Sequence, residues 1–180
     1  MFFKKKKIYS EKFPEILGDA SWGIIELMLS NLKEGLRKNF GSDFDETVLE
    51  SDLLEKESLL LNIWIFDNAL KISKQFPKEL REEVIRIIRL KYVDKFYEPD
   101  KVLSGQLAIS KKIESYYTAL DEASKKNKLA LSRLVIKNLF KNEEYLNHLL
   151  LNVFIQGFIT KFTKTAIEAF GDMEKELNVG

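Results

Sequence analysis

The sequence predicts an all-α protein, a single-domain antiparallel bundle of about six helices around a central hydrophobic second helix. Three observations predict it. Apolar residues recur at spacings of three and four from about Ser21 to Phe170, the period of one helix face. Hairpin punctuation is sparse, with eight glycines, three prolines and no Asn-Gly or Asp-Gly pair in 180 residues. The run Leu59–Phe66 is apolar around nearly the whole circumference of a helix, so it belongs in a core and not on a surface.

The elements follow in order. A first helix is expected over Ser21–Asn39, capped by Ser21 and stopped by a left-handed Gly41, after a short helical stretch Glu11–Leu17 with Pro14 in its first turn. The second begins near Asp43, where Asp43 and Glu46 have capping-box spacing, and runs to Lys74. Ser51 and Asp52 offer a restart, which would leave a short helix followed by Leu53–Lys74. Pro77 opens a third helix that reaches Phe96 and is stopped by Pro99. A fourth, starting between Asp100 and Gln106, runs to Ser124 with its apolar line on Ile109, Ile113, Tyr116, Leu120 and Ala123. The polar tract Lys125–Lys128 separates it from a fifth, Leu129–Phe140. Asn142 caps a sixth, with Glu143 and Glu144 in its first turn, which ends before Gly171. Residues 1–10 are read as a basic terminus, 172–180 as a frayed tail, and 1–180 as one helical domain.

Composition narrows the function classes. A formal net charge of +1 argues against a nucleic-acid partner, because phosphate neutralisation needs a basic excess. No cysteine is present, which excludes disulfides, thiol catalysis and cysteine zinc sites. One histidine, His148, excludes multi-histidine metal centres. Neither a targeting peptide nor a transmembrane helix is expected, since the longest apolar run is Leu59–Phe66, and a cytoplasmic location is inferred. Membrane-surface contact has one place to occur, the start of the chain, with Phe2 and Phe3 inserting and Lys4, Lys5, Lys6 and Lys7 facing anionic headgroups.

Site chemistry is thinner. Glu144, His148, Asn152, Gln156 and Thr160 recur every fourth residue, a narrow polar strip on an otherwise apolar helix. Such a strip meets water, bonds to neighbouring helices or lines an interhelical pocket. Glu144 and His148 could reach one metal ion, but the Glu-x-x-His pairs of di-iron bundles are absent. Asn62 lies inside the most apolar run and needs a partner, from the core or from a ligand. Asn62, His148, Asn152 and Gln156 are therefore the candidate pocket residues. The third helix carries Arg81, Arg86, Arg89, Lys91 and Lys95 among Glu79, Glu82, Glu83 and Asp94, and reads as a solvated, salt-bridged face. No Gly-x-Ser-x-Gly elbow or phosphate-cradling glycine loop occurs, so no catalytic residue, metal or cofactor is assigned. The expectation is a non-enzymatic interaction module binding a protein partner or a second copy. A small-molecule or lipid-binding bundle, with its pocket between the second and sixth helices, is the alternative.

Overall fold

The computed structural model describes residues 11–41, 43–44, 46–73 and 76–177, with side chains to 172. Among these residues it contains seven α-helices, two short 3-10 turns and no strand. The fold is the expected all-α bundle. The basic start of the chain, with Phe2, Phe3 and Lys4–Lys7, lies outside the described residues.

Helix α1 runs unbroken over Phe13–Phe40, with Pro14 in its first turn. This corrects the expected start at Ser21. Ser21 is buried in mid-helix, and the two glycines before and after it do not break the chain. At Gly18 the reason is packing: a Cβ there would lie 2.7 Å from Ile87 Cγ2 on a neighbouring helix. Gly41 is not left-handed either, with φ of −62°. The chain turns instead through hydrogen bonds that the Asp43 and Phe44 amides donate to the Phe40 carbonyl, at 2.8 and 3.1 Å.

The long second helix is divided at the restart that Ser51 offers. A single turn, α2 (Glu46–Leu49), precedes α3 (Asp52–Ser73). Ser51 serves both: its hydroxyl donates to the Val48 carbonyl at 2.8 Å and accepts from the Leu54 amide at 3.2 Å. Every residue from Ser58 to Asp67 is buried, as the all-round apolar run requires. Trp64 is sealed between the rings of Tyr116 and Tyr117, at 5.6 and 5.9 Å, whereas Trp22 is half-buried.

The remaining helices are α4 (Lys78–Phe96), α5 (Val102–Lys125), α6 (Ala130–Phe140) and α7 (Leu149–Leu177). Helix α3 packs against α1, α4, α5, α6 and α7, which makes it the hub of the bundle. Around it α1 meets α4, α4 meets α5, α5 meets α6 and α6 meets α7. Helices α1 and α3 are antiparallel, because Phe13 at one end meets Phe76 and Lys33 toward the other meets Glu50. Helices α1 and α7 touch where the Phe154 ring covers Gly35, whose hypothetical Cβ would lie 2.7 Å from it, and meets Phe40.

The largest departure is in the sixth predicted helix. It does not run continuously from Asn142. Asn142 Oδ1 accepts the Glu144 amide at 3.0 Å, but it caps only a 3-10 turn, Glu143–Asn147. The backbone at His148 is extended, with ψ of 101°, and α7 starts afresh after it. The far end is corrected as well: α7 passes Gly171 and reaches Leu177, leaving only 178–180 of the expected tail outside the described residues. No helix among the described residues is long and apolar enough to cross a membrane.

Candidate functional site

The α7 strip is taken up by the break at His148. The imidazole Nδ1 accepts the Leu151 amide at 3.2 Å, so His148 is the N-cap of α7. Its Nε2 lies 3.7 Å from the Asp43 carboxylate, and its ring meets Phe40 edge-on. Asn152 is buried. Its amide donates to the Leu146 and His148 carbonyls at 2.9 and 3.0 Å, and its oxygen accepts the Ser132 hydroxyl at 2.6 Å. Gln156, half-buried, donates to the Lys128 carbonyl at 2.6 Å. These bonds tie the start of α7 to α6 and to the turn before it.

Asn62 lies elsewhere, in α3 facing α1. It donates to the Ile25 carbonyl at 3.1 Å, while its Oδ1 is sealed without a partner among the described residues. The structure thus brings His148, Asn152 and Gln156 onto one helix end and leaves Asn62 apart. None of the four lines either of the clefts described below.

The larger cleft lies between α3, α4 and α5. It is half-open, holds about 540 Å³, and is lined by five cationic side chains against two carboxylates. Helix α4 supplies one wall because Arg81, Ile85 and Arg89 fall four apart and so share a stripe. Helix α3 supplies Asp67, Leu70 and Lys71, and α5 supplies Gln106 and Ser110, also four apart. The expected salt-bridged face of α4 therefore divides in two. Lys91 and Lys95 reach back to Asp19 at 2.8 Å and to Glu55 at 3.0 Å, while Arg81 and Arg89 turn to the cleft.

Asp67 is the least expected member, a carboxylate only 6% exposed. Lys71 meets it at 3.0 Å and Arg89 at 3.9 Å, and this pairing offsets part of its burial cost. The Lys71 ammonium also sits 4.0 Å over the Tyr117 ring. Burial, and then the neighbouring Asp67 charge, push the Tyr117 hydroxyl well above the usual phenol range, so it stays protonated.

No protein-family model matches the chain, and no curated protein or solved structure is significantly similar to it. The site must be read from its own atoms.

Those atoms favour binding of negative charge. Arg81 Nη1 donates to the Leu70 carbonyl at 3.4 Å, and the Nε atoms of Arg81 and Arg89 are sealed with no hydrogen-bond partner among the described residues. An N–H shut away from both water and acceptors costs about 1 to 3 kcal/mol, and the charge that a ligand in the cleft could meet is carried by the remaining guanidinium nitrogens. On the other flank of α4 lies a smaller cleft of about 400 Å³ with the opposite bias, five carboxylates against Arg86 and Lys91. No group of three metal-ligating side chains forms among the described residues.

Sequence reading named Arg81, Arg86 and Arg89 but missed Asp67, Lys71, Gln106 and Ser110. A signal for Asp67 was present. It directly follows the apolar run and lies one turn from Ile63, so a buried helix carries it into the core.

Proposed function

We propose that this chain is a helical binding module whose working site is the cleft between α3, α4 and α5, taking a small molecule. The observation that carries this reading is the convergence of polar side chains from three helices on one concavity of about 540 Å³. Ligand sites are typically concave, of about 300 to 1,000 Å³, with a few polar groups that fix orientation. This reading puts the working pocket beside α4, where the sequence suggested one between α3 and α7.

Amide chemical-shift mapping of the full chain against a fragment library tests it. Shifts should cluster on Lys71, Ile85, Gln106 and Ser110 for the compounds that bind. A library that leaves these amides unmoved would remove the cleft from its proposed role.

One further observation favours a protein partner or a second copy. Leu149, Leu150 and Val153, at the start of α7, are 64, 68 and 55% exposed and form an apolar surface beyond the His148 cap. Native mass spectrometry reports subunit number and bound ligand together. A monomer that remains monomeric in Leu150→Glu and in the parent chain removes the self-association reading.

A further inference from the structure

We infer that the ligand of the α3–α4–α5 cleft is an organic phosphate monoester, held as its dianion by Arg81 and Arg89. The inference rests on the cleft being the binding site proposed above. Charge accounting points to the class. Lys71 is committed to Asp67 at 3.0 Å, Lys78 to Glu82 at 3.6 Å, and Arg86 to Glu83 at 2.8 and 2.7 Å. Arg81 has only a backbone carbonyl, at 3.4 Å, and Arg89 has only a share of Asp67 at 3.9 Å. The surplus is two guanidiniums that no described carboxylate fully neutralises, Arg81 without an acidic partner and Arg89 at 3.9 Å from an Asp67 already held by Lys71.

A carboxylate would bring one charge and two oxygens. A phosphate monoester brings a charge of about −1.5 to −2 near neutral pH and three strong acceptor oxygens, which matches two guanidinium forks. Opposite these arginines stand uncharged groups suited to the organic part. The Ser110 hydroxyl donates to the Gln106 carbonyl at 3.0 Å, so it presents lone pairs to a ligand hydroxyl, and the Gln106 amide stands one turn away. Leu70 and Ile85 add a limited apolar surface. The ester can be a soluble compound or a phospholipid headgroup, since both present the same oxygens.

Titration calorimetry of the full chain with phenyl phosphate, phenyl sulfate and benzyl alcohol separates the classes. Vesicles of phosphatidylcholine with and without phosphatidic acid separate the sources. Phenyl phosphate should bind at least about tenfold more tightly than phenyl sulfate, the same shape with one charge. Arg81→Gln or Arg89→Gln should weaken it by about tenfold, Arg81→Lys by less, and Lys125→Gln on the open face of α5 not at all. Affinity should also fall as the dianion takes up a proton near pH 6. Capture by phosphatidic acid vesicles alone, lost in the same arginine variants, assigns the headgroup as the source.

Phenyl phosphate binding no tighter than phenyl sulfate, or binding unchanged in both glutamine variants, overturns the inference. Arg81→Lys keeps the test open should a glutamine variant fail to fold. If neutral or cationic fragments shift the cleft amides while phenyl phosphate does not, the ligand class is wrong and the binding site stands. If nothing shifts them, the site itself is wrong.

Discussion

Two rows of side chains at four-residue spacing run along different helices of this protein, and their polar members end in opposite states. On α7, Asn152 and Gln156 bond to Ser132 and to the Lys128, Leu146 and His148 carbonyls, so this polarity goes into joining α6, the 3-10 turn and α7. On α4, Arg81 and Arg89 frame Ile85 along a cleft, and their Nε atoms find no acceptor among the described residues. Spacing is the same in both rows. The two rows differ in whether their hydrogen bonds close within the fold, and the reading proposed above rests on that difference, because a buried group with closed bonds has little to offer a ligand.

The comparison can be broken or sharpened by substitution. The largest effect is expected beneath the cleft, where Trp64 supports Tyr117 and Tyr116. Trp64→Ala should cost about 3 to 5 kcal/mol in chemical denaturation, the range for a large buried aromatic. A loss below about 1 kcal/mol would remove α3 from its place as hub.

Next comes Asn152→Leu, close in volume but without polarity. It leaves the Ser132 hydroxyl with only the Leu129 carbonyl, at 3.1 Å, and the Leu146 carbonyl without this donor, so a loss of about 2 kcal/mol is expected. A neutral result would mean that the α7 row is not structural, and the contrast with α4 would collapse.

A pH titration probes the buried tyrosines, of which Tyr117 lies under the Lys71 ammonium. Burial raises the hydroxyls of Tyr92, Tyr116 and Tyr117 in the folded chain. In the unfolded chain they ionise near pH 10. Their stabilising contribution is therefore complete below about pH 10 and falls above it, by about 1.4 kcal/mol per pH unit for each tyrosine. Tyr117→Phe should reduce that alkaline slope by about one proton. An unchanged slope would show that Tyr117 is not shielded beside Asp67.

Gln156→Leu should cost less, about 1 kcal/mol, because this side chain is only half-buried and water can reach the Lys128 carbonyl it leaves. The smallest effect is expected in the cleft wall. Arg81→Leu removes a guanidinium held by one long bond and should change stability by no more than about 0.5 kcal/mol, or raise it. A loss above about 1.5 kcal/mol would make the α4 row as structural as the α7 row.

Particular residues show how far the sequence could be read. Ser51 was legible as a restart because a serine cap acts over three residues, and the bond to Leu54 is that local. Leu59–Phe66 was legible as a core helix because a run apolar on all sides has no solvent face. Ser21 misled because a serine suits a helix start equally well as a buried helix position where chains pack closely. The break at His148 was hidden, since a four-residue polar repeat looks the same whether or not the helix is continuous. The cleft was hidden for a different reason. Arg81 and Arg89 read as solvated until Asp67 and Leu70, from another helix, were placed beside them.

The sequence by itself determined the all-α class, most helix limits and the burial of α3, because these follow from periodicity and caps that act within a turn or two. The tertiary structure decided which polar groups are satisfied within the fold and which are not. Ser132 meets Asn152 across 20 residues of chain and Asn62 meets the Ile25 carbonyl across 37. Hydrogen bonds of that range form only when helices dock, so no local pattern distinguishes a closed polar row from an open one.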